Sequence, residues 1–371
     1  MNQAFIFVDN LRIGGFQRLA LDQAYGLGDR GFNTSIFVLD DIPTTRVPSF
    51  LTSEVTLIET HNVKLASIGK TRKSQLLAMV RILKSQPSPT LLLSHSLRAT
   101  LLLRIASWVS QRPAKIITTI HQLPTLSAPK QRLLRFVYAQ FTWHLIAYSE
   151  AVKADWDARV NGNWMFKTLV ARKKIQVIRN GIYLNRLPSD VNASADDTQR
   201  RLVYLGRNTA WKGINTFLEI AGQPELQHFE LLFIIPDEKD LDVEVLPNSI
   251  KHRIHVLAGK PISAFTPRKG DVHLYPANYG AAAKFVESVS LNCLELACLG
   301  VPTILTVRGL GTWPDLADDG IFHETDWQDH SGIAKTILEI SQERVTDRKI
   351  EEVKNKVSIQ NQISNLLNLS K

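Results

Sequence analysis

The chain has 371 residues, 44% hydrophobic and 8% aromatic, with 44 Lys and Arg against 35 Asp and Glu for a net charge of +9. That balance excludes a disordered or fibrous chain and favours two folded domains over one. The two cysteines, Cys293 and Cys298, exclude a disulfide framework and a CxxC zinc site and fit a reducing cytoplasmic compartment, and no apolar run reaches the roughly 18 residues of a spanning helix.

In chain order, MNQAFIFVDN has no basic leader and its apolar run stops at Asp9, so it reads as a first strand, QAFIFV (3–8), not as a signal peptide. Further strand-length apolar runs follow at TSIFVL (34–39), TLLLSH (90–95), KIITTI (115–120), HLIAYS (144–149) and IQVIRN (175–180). Amphipathic helix patterns lie between them, such as residues 16–31 and 73–85. This β-α alternation implies a parallel sheet covered on both faces. Residues 186–200, RLPSDVNASADDTQR, are polar and poor in apolar side chains, and read as an interdomain linker. A second set of strands is expected at 201–206, 229–235, 254–259, 271–277 and 302–307, with helices at 213–223 and 291–299. The helical pattern from about Asp329 to Leu369 is longer than one domain needs and can cross back to the first domain. The expected fold class is therefore α/β, with two doubly wound domains.

Within GLGDRG (26–31) the letters of a dinucleotide-binding fingerprint are present, but the stretch ends a helix and precedes a strand. The fingerprint must follow a strand and open a helix. Gly31 is read instead as a helix-terminating glycine.

Charge is unevenly placed: residues 1–186 carry 25 Lys and Arg against 10 Asp and Glu, and the remainder 19 against 25. A basic half joined to an acidic half implies an anionic surface partner, with scattered solvated cations as the alternative. Two basic amphipathic segments, residues 74–85 and 129–141, have the pattern of interfacial anchors or of ordinary packed helices.

Three places have the makings of a site. Gly14 and Gly15 follow the first strand and open a helix, where bare backbone N–H groups approach an anion, or where a βα turn simply requires glycine. In LVYLGRNTAWKGINTFLEIA (202–221), Arg207 lies just off a strand and Lys212 at a helix start, a pairing that suits a diphosphate. The third is FVESVSLNCLELACLGVPTI (285–304), with Glu287 and Glu295 eight residues apart. On one helix their Cα atoms would be about 12 Å apart, against roughly 5–9.5 Å for glycosidase carboxyl pairs. A hydrolytic pair is disfavoured, and so is a helical metal site, which prefers i, i+3 or i, i+4 spacing. Ser290 is an acceptable N-cap for a helix from Leu291 to Leu299 stopped by Gly300. The N–H groups around Ser290 and Leu291 then form an anion site between a loop carboxylate and a helix carboxylate, a three-part grip that fits a nucleotide-sugar.

The string ESVSLNCLELACLGVPTI closely resembles the E-x7-E segment of retaining GT-B glycosyltransferases, especially glycosyltransferase family 4, which usually shows EGFGLxxLEAMAxGxPVI. GGFQR (14–18), SEAVKAD (149–155), VIRNGI (177–182), LGRNTAWKG (205–213) and GLGTWPDLADDG (309–320) resemble further family segments in the family's order. The resemblance implies two Rossmann-like domains facing a central cleft: an acceptor domain (1–185), a donor domain (186–345), and a C-terminal helix (346–371) packing back on the first. It implies that Glu287 contacts the donor sugar, Glu295 the ribose, and Arg207 and Lys212 the diphosphate. His121 would lie near the transferred sugar, with His95 as its rival and a structural histidine as the alternative for either. The chain departs from the pattern at Val289, Ser290 and Asp315, and in the long approach from Ala277 to Glu287.

The expected function is thus retaining, metal-independent transfer from a UDP- or GDP-sugar to a glycan or lipid-linked acceptor in cell-envelope polysaccharide, lipopolysaccharide or glycolipid synthesis. No cofactor and no nucleic acid is expected. The protein is expected in the cytoplasm, peripherally on an anionic membrane face. The alternatives are a nucleotide-sugar epimerase or phosphorylase on the same fold and a non-enzymatic anionic-surface or RNA binder.

Overall fold

The computed structural model describes residues 2–11, 15–40, 49–85, 90–112, 114–120, 144–150, 152–154, 157, 175–188, 199–208, 212–243, 246–277, 289–306, 313, 315–316 and 320–370. They divide into two compact units, Met1–Tyr183 with Ile359–Lys371, and Leu184–Ser358.

The first unit is built on β1 (Gln3–Val8), β2 (Asn33–Val38), β3 (Lys64–Ser67), β4 (Thr90–Ser94), β5 (Ile116–Ile120), β6 (His144–Ala147) and β7 (Gln176–Val177). These form one parallel sheet in the order β3-β2-β1-β4-β5-β6-β7. The strands read as continuous apolar runs because both sheet faces are covered: Ala4 through Val8 are all buried. The helices are α1 (Gly15–Asp29), α2 (Ser49–Thr60), α3 (Arg72–Ser85) and α4 (Leu97–Ser110). Met79, Val80 and Leu83 of α3 and Leu102, Leu103 and Ala106 of α4 share one core with Phe5, Phe7 and Leu92. The right-handed crossover through α1 runs from β1 toward β2, and those through α3 and α4 run the other way, from β3 to β4 and from β4 to β5, so α1 covers the opposite face from α3 and α4. Ser96 caps α4, its hydroxyl accepting from the Ala99 N–H at 3.0 Å.

The second unit contains β8 (Arg201–Leu205), β9 (Glu230–Ile235), β10 (Ile254–Ala258), β11 (Val272–Tyr275), β12 (Thr303–Thr306) and β13 (Phe322–Thr325). Its parallel sheet runs β10-β9-β8-β11-β12-β13. Its helices are α5 (Ile214–Ala221), α6 (Asn248–Lys251), α7 (Leu291–Cys298), α8 (His330–Ile340) and α9 (Asp347–Val357). One core joins Phe217 and Ile220 of α5, Phe233 of β9, Leu274 of β11 and Ile333 and Ile337 of α8. Strands β3 and β13 are absent from the sequence expectation: both are four-residue edge strands with partly exposed side chains, so neither presents an apolar run.

The last helix, α10 (Ile359–Ser370), belongs to the first unit. The return begins later than the expected residue 346. Ile350, Val353 and Val357 of α9 are buried within the second unit, where Ile350 meets Gly300. Helix α10 packs on α1 at Gly26, where an added Cβ would lie 3.0 Å from Ile359 and 3.1 Å from Ile363. The Arg30 side chain donates to Gln360 Oε1 and Ser364 Oγ, both at 2.8 Å. The GLGDRG glycines therefore serve helix packing and termination. Helix α1 ends at Asp29, and Gly31 has φ of +77°.

Candidate active site

In the second unit the strand order reverses between β8 and β11. Open α/β sheets bind ligands at such a reversal, outside the carboxyl ends of the strands. Two of the three places singled out in the sequence, 202–221 and 285–304, have their described residues there.

Gly206 and Arg207 follow β8 directly, Arg207 with an exposed side chain and its carbonyl accepting from the Tyr204 hydroxyl at 3.1 Å. Lys212 is buried, donates to the Tyr275 hydroxyl, and holds its Nζ 4.6 Å from the centre of that ring. Gly213 opens α5 in the left-handed region, φ +72°, and an added Cβ would sit 1.8 Å from the carbonyl oxygen of Pro276. Only glycine lets the start of α5 lie this close to the end of β11.

Ser290 caps α7 as its sequence position implies, accepting from the Asn292 N–H at 3.3 Å, and Leu291 is buried as its first residue. Asn292 Nδ2 donates to Leu205 O at 2.9 Å, which fixes the positive end of α7 at the end of β8. Sequence reading missed Asn292, because a polar side chain in a first helical turn gives no sign of its tertiary partner.

Glu295 lies in the second turn of α7 and is buried. It pairs with Arg186 at 2.5 Å, the two side chains being 7% and 2% exposed. Arg186 stands in a short 3-10 turn, Leu184–Arg186, at the first residue of the stretch read from sequence as an interdomain linker. The polar stretch around it hid a buried partner for the site's helix carboxylate.

Glu287, His121, Gly14 and the basic segment 129–141 lie outside the described residues. Gly15 opens α1, and among the described residues beyond its chain neighbours no heavy atom lies within 4 Å of where its Cβ would be. The first unit has its own reversal between β1 and β4. There Asp9 accepts from Ser96 Oγ at 2.8 Å and Arg98 Nε at 3.1 Å, and Arg98 also donates to Asp40 at 2.6 Å. These residues gave no motif in the sequence, since they come from three separate βα connections, after β1, β2 and β4. His95 beside them is buried and bonded to Gln23 Oε1 at 2.9 Å. Among the described residues there is no group of three or more His, Cys, Asp or Glu able to hold a metal ion.

Two buried imidazoles make the fold sensitive to acid. Burial lowers the pKa of His95 to about 4, and burial together with Lys212 lowers that of His273 to about 3. His273 Nδ1 meets Thr303 Oγ1 at 3.2 Å, and its Nε2 has no hydrogen-bond partner among the described residues. An unfolded imidazole protonates near pH 6.5. Both groups therefore contribute full stability above that value and lose it as pH falls toward their folded values, on the order of 3 kcal/mol for His95 alone. Urea midpoints should drop between about pH 7.5 and about pH 5, and the drop should be shallower in His95→Gln.

Residues 13–186 match the family model described as Glycosyltransferase Family 4. Two sheets with these orders, reversed at β1/β4 and β8/β11, superpose over their full length on solved glycosyltransferases. The fold is GT-B. Sucrose-phosphate synthase from Thermosynechococcus elongatus is 14% identical with a TM-score of 0.68, covering 100% of this chain and 98% of that one. A TarM variant from S. aureus, solved with fondaparinux, α-GlcNAc-glycerol and UDP, is 10% identical with a TM-score of 0.68 and covers 100% of both chains. An α-glucosyltransferase solved with UDP and a 13-mer DNA is 12% identical with a TM-score of 0.66, covering 100% of this chain and 99% of that one. No curated protein matches the chain. In this GT-B chain, the second unit's reversal point carries Arg207, Lys212, Ser290 and Glu295 on neighbouring segments.

Proposed function

We propose that this GT-B protein transfers a sugar, with retention of anomeric configuration, from a nucleoside-diphosphate sugar to a glycan or lipid-linked acceptor of the cell envelope. The observation that carries the reading is the convergence at the β8/β11 reversal. The capped start of α7 and the start of α5 meet there, beside Arg207 and Lys212. Preorganised donors of that kind stabilise negative charge developing on a departing diphosphate.

In the proposed step the bond from the sugar C1 to the phosphate oxygen breaks, and a bond from C1 to the acceptor oxygen forms. The acceptor proton goes to the leaving phosphate oxygen. Arg207, Lys212 and the N–H groups at Ser290 and Leu291 take up the charge, so no divalent cation is assigned to the step. Glu287 grips the sugar hydroxyls, His121 sits near the transferred sugar, and Glu295, held by Arg186, faces the ribose. Gly14 and Gly15 keep the first βα turn open to the substrate. UDP in the solved TarM and α-glucosyltransferase complexes supports a nucleotide-sugar donor. The surplus of cations in residues 1–186 supports an acceptor presented at an anionic membrane face, with the protein peripheral on its cytoplasmic side.

Isothermal titration with UDP, GDP, ADP and dTDP tests the site and names the base. Glu287→Ala should abolish transfer and leave nucleotide affinity within about twofold, whereas Arg207→Ala should lower kcat about a hundredfold. Transfer should persist in EDTA. The reading fails if none of the four nucleotides binds, or if both variants keep full activity.

A further inference from the structure

Ninety consecutive residues, 60–149, hold 13 Lys and Arg and no Asp or Glu. This stretch contains α3 and α4, which pack side by side on the same core. Their outward faces differ in character. On α3, Lys73, Leu77, Arg81 and Lys84 are exposed at spacings of four, four and three, one helical stripe of cations around a leucine that is 48% exposed. On α4 the exposed residues are Ile105, Trp108 and Val109, at 38%, 64% and 56%, followed by exposed Arg112. Among the described residues, four of the five exposed large hydrophobics lie on these two helices.

We propose that the outer face of α3 and α4 docks on an anionic lipid bilayer. Aliphatic side chains and a tryptophan rimmed by Lys and Arg match the acyl-headgroup boundary, where the ring inserts and the cations meet lipid phosphates. Nucleic acid would call for aromatic rings that stack bases, whereas two of the three exposed apolar side chains on α4, Ile105 and Val109, are aliphatic. Among the described residues no helix is long and apolar enough to cross a membrane, so the contact is with the surface. The inference rests on the lipid-facing acceptor proposed above, and it names the surface that brings the first unit to that acceptor.

The test is co-sedimentation of the full chain with vesicles of phosphatidylcholine, with and without phosphatidylglycerol. Binding should need the anionic lipid and weaken with salt. Ile105→Ser with Trp108→Ser should lower vesicle partition about tenfold, and Lys73→Glu, Arg81→Glu and Lys84→Glu together about a hundredfold. All five positions are solvent-exposed, so the variants should unfold at the parent's urea midpoint and bind nucleotide as the parent does. Unchanged nucleotide titration separates this result from failure of the donor-site reading. The proposal is overturned if the parent ignores anionic vesicles or the variants pellet like the parent. It is also overturned if RNA displaces the protein from vesicles, or if Trp108→Ser converts a dimer in solution to a monomer.

Discussion

Gly213→Ala should destabilise the second unit by about 3 kcal/mol or more and abolish nucleotide binding. Two effects act together. The φ of +72° is strained for any residue with a Cβ, and that Cβ would meet the Pro276 carbonyl oxygen at 1.8 Å. The obstacle is backbone at a strand end, so no rotamer change relieves it. Helix α5 must move away from β11, taking with it Lys212, whose ammonium is held by Tyr275. Urea unfolding measures the first loss and nucleotide titration the second. Full nucleotide affinity in Gly213→Ala would show that the close approach of α5 to β11 is dispensable for the donor site.

Arg186→Met should cost about 3–5 kcal/mol, because it leaves the Glu295 carboxylate buried without its cation. Combining it with Glu295→Leu should recover most of that stability, since an apolar pair of similar size removes the stranded charge. Nucleotide affinity should not return with it. A double variant that folds well and binds poorly would mark Glu295 as a ligand-facing residue that Arg186 holds in place. A double variant that binds normally would mark the pair as purely structural.

Much of this was legible in the sequence for identifiable reasons. Strands buried on both faces show as uninterrupted apolar runs, so β1, β8 and β9 stand within one residue of expectation. The Ser290 cap and the Gly300 stop follow from local backbone chemistry, and the helix between them lies where expected. What escaped was tertiary. Arg186 looked like linker because it opens the polar stretch 186–200, and its burial depends on a carboxylate 109 residues away. Gly26 carries only the letters of a fingerprint already set aside, and its use depends on a helix more than 330 residues later. Asn292 and Arg98 each bridge segments from different loops, which no local pattern encodes.

The seat of α10 on Gly26 bears on how the chain assembles as it leaves the ribosome. The second unit is one unbroken stretch, Leu184–Ser358, whereas the first needs residues from both sides of it. Synthesis therefore delivers every part of the second unit before the helix that closes over α1. The half made first is the half completed last, and until residues 359–370 emerge, the glycine groove on α1 stays open to chaperones and to other nascent chains.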